Sequence, residues 1–132
     1  MSDAPGREGQ GPSTTEKGRS AEDRAERRLR ALGYEIVERN WRSAAGELDL
    51  VAIEGGDLVF VEVRSREDDS AGPAALAVGP AKRRRVARAA AAYLHERRPS
   101  FDTCRFDVVA ITGEDIEIFQ DAFRLGLLAR YG

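Results

Sequence analysis

Apolar and polar positions alternate most regularly in two adjacent stretches, Glu47–Glu54 (ELDLVAIE) and Asp57–Arg64 (DLVFVEVR), which predict two strands. Gly55-Gly56 between them is a two-residue hairpin signal. Upstream, Ser20 can cap a helix that has Glu22 and Asp23 in its first turn and closes at Gly33. Tyr34–Asn40 (YEIVERN) then reads as a short strand, with Trp41 and Arg42 entering a loop. Residues 65–79 form a polar connection. Gly79-Pro80 opens a long helix running to about Arg98, ahead of Pro99. Cys104–Thr112 predicts a further strand, Gly113-Glu114 a turn and Asp115–Gln120 a last strand, after which Asp121 can cap a short terminal helix. The order α-β-β-β-α-β-β-α predicts one α/β domain, a mixed sheet flanked by helices, over residues 18–132. Residues 1–17 have no apolar residue larger than Met1 and predict a disordered tail.

If Gly55 and Gly56 are the loop residues, opposed positions in the hairpin sum to 111. Asp49 then faces Glu62, and Glu47 faces Arg64. Alternation puts these four with Val51, Ile53, Leu58 and Phe60 on one face, and Leu48, Leu50, Ala52, Val59, Val61 and Val63 on the other. Both faces are largely apolar, as in a strand pair covered on each side, so the carboxylates interrupt a sheet built for burial. Two unit charges about 5 Å apart repel by roughly 3 kcal/mol at an effective dielectric near 20. A divalent cation would turn that repulsion into ligation, and carboxylates with a backbone carbonyl and waters are the oxygen-rich set that Mg²⁺ or Mn²⁺ prefers. The spacing equally allows a solvated sheet end, a shared proton, or an ordinary Glu47–Arg64 ion pair.

Charge enters next. The chain has 132 residues, 21 Lys+Arg against 23 Asp+Glu, and a net charge of −2, which taken as evenly spread argues against a nucleic-acid partner. It is not evenly spread. Residues 80–98 hold seven Lys/Arg and one Glu, a net +6, and Lys82, Arg83, Arg84 and Arg85 are consecutive in the first helical turn. The helix macrodipole disfavours cations there, so local stability does not account for them, whereas docking a phosphate backbone does. A solvated basic face is the alternative. Arg88 extends the basic face, and Lys82 shares the side of Val86 and Tyr93, so it can reach inward. Trp41 and Arg42 read either as a stacking and clamping pair for nucleic acid or as a packed Trp beside a surface Arg. Asp107 reads as structural, paired with Arg105 or another base; His95 reads as solvated. The single Cys104 reads as a small buried residue, excludes an internal disulfide and points to a reducing, cytoplasmic setting. No apolar run approaches a membrane span.

The segments GELDLVA and LVFVEVR resemble the metal-binding core of the PD-(D/E)xK nuclease superfamily. The ordered set G-x-x-x-E at Gly18–Glu22, GYEIVERNWR, GELDLVA, FVEVR, the helix beginning at Lys82 and RFDVV at Arg105–Val109 resembles the YraN family of uncharacterised bacterial proteins, similar to archaeal Holliday-junction resolvases. The resemblance implies a restriction-endonuclease-like fold and a metal-dependent DNA endonuclease acting on branched or otherwise structured DNA. It implies Mg²⁺ or Mn²⁺ held by Asp49, Glu62 and the Val63 carbonyl, with Glu22 and Glu47 at second rank, and it is compatible with a homodimer. Arg64 stands where that superfamily carries lysine. Arginine cannot serve as a general base, although it can stabilise an anionic transition state. Of the basic residues only Lys17 and Lys82 are lysines, a bias under which an Arg can stand in a lysine's place, and Lys82 can take part of the missing role. Two further readings stand beside the nuclease. One is a nucleic-acid-binding or adaptor protein that kept the fold and lost catalysis; the other is an interaction module whose acidic pair binds nothing.

Overall fold

A computed structural model describes residues 14–66 and 79–123, with side chains for 21–65 and 79–122. The helix α1 (Thr14–Ala31) precedes three strands, β1 (Glu35–Ser43), β2 (Gly46–Glu54) and β3 (Asp57–Arg66); α2 (Pro80–Arg97), β4 (Thr103–Thr112) and β5 (Asp115–Phe123) follow. The strands form one sheet in the order β1-β2-β3-β4-β5. Only β3 and β4 are parallel, and the segment between them contains α2, as a parallel connection requires. The mixed α/β architecture expected from the sequence is therefore present. The expected terminal helix lies outside the described residues.

Two apolar layers hold the helices to opposite faces. Ala21, Ala25 and Leu29, four residues apart, put one stripe of α1 onto Leu50, Ala52, Val59, Val61, Val109 and Ile111. On the other face Val86, Ala89, Ala90, Tyr93 and Leu94 of α2 cover Val51, Leu58, Phe60, Phe106 and Val108. Tyr93 organises that layer, its ring edge-on to Trp41 at 5.3 Å and to Phe60 at 5.9 Å.

Several boundaries depart from the sequence reading. α1 begins at Thr14, so Gly18 and Ser20 lie inside the helix and Ser20 is no cap. Its other end is as expected. Tyr34 N–H donates to the Leu29 carbonyl and Gly33 N–H to that of Arg30, each at 3.0 Å, with Gly33 at φ +100°. A Cβ built on Gly33 meets nothing within 4 Å, so replacing it carries only a conformational cost. Gly33→Ala should therefore lower unfolding free energy by about 1–2 kcal/mol in urea, with an unchanged slope.

β1 continues through Trp41 and Arg42, which the sequence reading placed in a loop. Trp41 pairs with Leu48 and Arg42 with Glu47, and Ala44-Ala45 forms a turn in which Ser43 Oγ accepts the Ala45 N–H at 3.0 Å. The turn lacks the Gly, Asn or Asp that usually announces one. Asp121, the expected cap, instead lies inside β5 at φ +55°, its N–H donating to Asp107 Oδ1 at 2.8 Å.

The β2–β3 register is the expected one from Glu54↔Asp57 to Leu50↔Val61. The pairing stops one step short of the predicted Asp49–Glu62 opposition. There the N–H of Val63 donates to Asp49 Oδ2 at 2.9 Å. Strict alternation is lost at the same place: Leu48, expected beside Leu50 on the α1 face, is buried on the α2 face with Trp41 and Val51. The irregularity falls where the acidic side chains gather.

Candidate metal and nucleic-acid site

The site lies where the paired part of the β2–β3 hairpin ends, next to the first turn of α2. Pro80 at the start of α2 presets the helical φ and Gly79 contributes no side-chain cap, so the turn presents its cations without a neutralising acid. Lys82 Nζ reaches Glu62 Oε2 at 2.9 Å. The inward reach expected from its shared side with Val86 and Tyr93 is thus found. Arg83, Arg84, Arg85 and Arg88 remain exposed on the same helix.

Asp49 is the electrostatic centre. Burial, then the Glu62 carboxylate, pushes its carboxyl up to about 7, and Glu22 adds to the effect; the Val63 N–H and Lys82 oppose it. Glu22 is half-buried and its carboxyl is also raised, first by burial and further by Glu47 and Asp23; a hydrogen bond with the Asn40 side chain and the charge of Arg39 counter this. Asn40, unmarked by the sequence reading, sits at φ +52° inside β1, a conformation Asn tolerates better than most residues. Its neighbours in a strand-like pattern gave no sign of either feature.

Other nominated residues are placed differently. Glu47 does not pair with Arg64: it faces Arg42 across β1–β2, with Oε1 3.1 Å from Arg42 Nε in an exposed ion pair. Such a pair contributes little. Trp41 is 5% exposed within the α2 layer and so is committed to the core, unable to offer its face to a base. Arg64 is half-buried on β3, two residues beyond Glu62, and its backbone pairs with Ala110. Asp107 is fully buried and bonded to Arg105, as expected. His95 is exposed, and Cys104 is half-buried against the α2 layer with its thiol pushed up to about 12 by burial, which makes it inert.

Among the described residues no three His, Cys, Asp or Glu side chains gather closely enough to hold a metal ion. What the geometry offers is two carboxylates, Asp49 and Glu62, beside the Val63 backbone. That set fits Mg²⁺, which keeps several waters and binds through one or two carboxylates. The fit rests on the chemistry of the pair: a desolvated couple of carboxylates that a lysine from another element contacts at Glu62. Glu22 acts on Asp49 through space and Glu47 acts on Glu22, and among the described residues neither is gathered into a ligand cluster with the pair.

The raised Asp49 carboxyl has a consequence for the metal-free protein. The folded state holds this proton up to about pH 7, whereas an unfolded Asp releases it near 3.8. Folding therefore takes up a proton between those values, and the contribution of Asp49 to stability falls as pH rises from about 4 to 7. Urea unfolding in EDTA should show this loss in the wild type and a flatter profile in Asp49→Asn.

No helix among the described residues is long and apolar enough to cross a membrane. A sequence model described as "Uncharacterised protein family UPF0102" matches residues 21–111, a span containing both helical faces and the acidic site. A UPF0102 protein from Dechloromonas aromatica is 48% identical over 111 residues, covering 84% of this chain and 91% of its own. One from Ralstonia nicotianae is 47% identical over 116 residues, covering 85% and 89%. Another, from Paracidovorax citrulli, is 44% identical over 126 residues, covering 92% and 93%.

Proposed function

This chain belongs to the UPF0102 family, and we propose that it is a metal-dependent endonuclease that hydrolyses phosphodiester bonds in DNA. The reading extends the likeness of its acidic hairpin to the PD-(D/E)xK nucleases. The observation that carries it is the junction of Asp49, Glu62 and Lys82 at the first turn of a helix whose outer face is basic. Acid and base are brought together where a phosphate could meet a cation.

Asp49, Glu62 and the Val63 carbonyl would hold Mg²⁺ or Mn²⁺. Such an ion supplies Lewis acidity and a more acidic bound water. Arg83, Arg84, Arg85 and Arg88 would grip the backbone largely independently of sequence, with Arg42 at the neighbouring β1–β2 turn. Trp41 is left out of this interface because it is buried. Arg64 would offer a positive charge to the anionic transition state and not a general base, a role for which a guanidinium is unsuited. Lys82 adds a second, mobile positive charge beside Glu62. In this reading substrate choice follows DNA shape, and branched or structured molecules are the class to examine first.

The test is cleavage of linear, flapped and four-way DNA in Mg²⁺ or Mn²⁺ by the wild type, Glu62→Ala and Arg64→Lys. Cleavage by the wild type that disappears in Glu62→Ala supports the proposal. Absence of cleavage in both the wild type and Arg64→Lys overturns it; activity that persists in Glu62→Ala exposes a contaminant. Arg64 at the lysine position favours one rival, a DNA-binding protein that lost catalysis. That rival predicts duplex binding by the same α2 face with no strand scission under any of these conditions.

A further inference from the structure

Lys82 belongs to two surfaces at once. Its ammonium contacts Glu62 at 2.9 Å, yet its Cα lies in the cationic first turn of α2 beside Arg83, Arg84 and Arg85. Its side chain is 41% exposed while that of Glu62 is 15% exposed, so the contact spans the boundary between the site and the solvent-facing basic surface. A lysine head is a compact charge on a flexible four-carbon stem and can change partners without moving its helix.

We infer that Lys82 couples cation binding at the Asp49–Glu62 pair to phosphate docking on α2, acting as the counter-ion of Glu62 until one of the two ligands releases it to the other. The inference rests on the proposed metal site and adds a link between that site and the nucleic-acid surface. A divalent cation seated on Glu62 competes with the ammonium for the same carboxylate and repels it. The freed Lys82 then lies where it can join the phosphate-facing cations. In the other direction, a phosphate that draws Lys82 outward leaves Glu62 without its counter-ion and more receptive to a metal. Linkage requires the two effects to be equal in size. The arrangement gives the empty protein a neutralised Glu62, which lowers the cost of an acidic pair in a largely apolar sheet.

Two titrations test this on the full chain. Mn²⁺ is titrated by calorimetry into the wild type, Lys82→Gln, Lys82→Arg and Glu62→Gln without DNA. Binding of a fluorescently labelled duplex is then measured by anisotropy in EDTA and in Ca²⁺ at matched ionic strength. Lys82→Gln should bind Mn²⁺ about fivefold more tightly than the wild type, and Lys82→Arg, which keeps the charge, within about twofold of it. Ca²⁺ should tighten duplex binding about fivefold in the wild type and less than twofold in Lys82→Gln. The inference is overturned if Lys82→Gln binds Mn²⁺ no more tightly than the wild type, or keeps the full Ca²⁺ effect on the duplex. Failure of the metal reading looks different: wild type and Glu62→Gln would then give the same null Mn²⁺ titration.

Discussion

Asp49→Asn is expected to abolish metal-dependent cleavage while making the metal-free protein more stable. The opposite signs follow from one cause. In the absence of a cation, Asp49 is held by burial and by the neighbouring Glu62 in a state that resists ionisation up to about pH 7. A shift of that size is worth on the order of 2–4 kcal/mol above neutrality, since each pKa unit corresponds to about 1.4 kcal/mol. Asparagine has nearly the same shape. Its Oδ1 can still accept the Val63 N–H, which donates to Asp49 Oδ2 at 2.9 Å in the native chain, and its amide replaces repulsion of Glu62 with a donor. The variant should therefore unfold at a higher urea midpoint at pH 8, with little difference from the wild type at pH 4. The same change removes a formal charge from the proposed ligand set. Cleavage should fall on the order of 10²–10³-fold or more, and the stabilisation that Mg²⁺ or Mn²⁺ gives the wild type should vanish. If the variant is no more stable at pH 8, Asp49 is not under the electrostatic stress assigned to it. If it is stabilised by Mn²⁺ as strongly as the wild type, Asp49 is not a ligand.

The stress at Asp49 was partly legible in the sequence because a Gly-Gly turn and strand alternation fix a register with few alternatives. The pairing from Leu50↔Val61 to Glu54↔Asp57 follows that register. Alternation could not foretell where the ladder would stop, since that depends on a side chain: Asp49 takes up the Val63 N–H, and Leu48 turns to the face opposite Leu50. Lys82 was legible for a related reason. Helical spacing places it on the side of Val86 and Tyr93, both buried against the sheet, and its ammonium accordingly meets Glu62. The β1–β2 connection was not legible, because Ala44-Ala45 has none of the residues that favour tight turns. Missing that turn put Trp41 in a loop when it pairs with Leu48 and packs on Tyr93. It also hid the short-range Arg42–Glu47 partnership behind a proposed Glu47–Arg64 one. Asn40 shows the same limit: its role beside Glu22 needs a backbone at φ +52° and a helix packed over the strand, neither written in local pattern.

The largest loss of stability should come from Asp107→Ala, away from the proposed chemistry. Asp107 is fully buried in β4 and accepts hydrogen bonds from Tyr34 Oη at 2.8 Å, from Arg105 Nε at 3.0 Å and from the Asp121 N–H at 2.8 Å. It thereby ties the chain just after α1 to β4 and to the bend in β5. Arg105 in turn reaches Asp57 at 2.6 Å and Glu54 at 2.8 Å, fastening the Gly55-Gly56 hairpin to β4. Truncation leaves the guanidinium, 11% exposed, without its buried partner and strips three donors of their acceptor. Removing one member of a buried ion pair typically costs about 3–5 kcal/mol, a large part of the roughly 5–15 kcal/mol that holds a domain of this size together. Asp107→Asn keeps one acceptor oxygen, for Tyr34 or for the Asp121 N–H, and loses the charge and the other acceptor, so it should still cost less than the alanine change. Tyr34→Phe, which removes one hydroxyl, should cost about 1–2 kcal/mol. That ordering, Ala above Asn and Phe, is what a satisfied buried network requires. Equal losses in Asp107→Ala and Asp107→Asn would assign the effect to the charge and the second acceptor oxygen together; a loss below about 1 kcal/mol in Asp107→Ala would mean that Arg105 is sufficiently held by Glu54 and Asp57 alone.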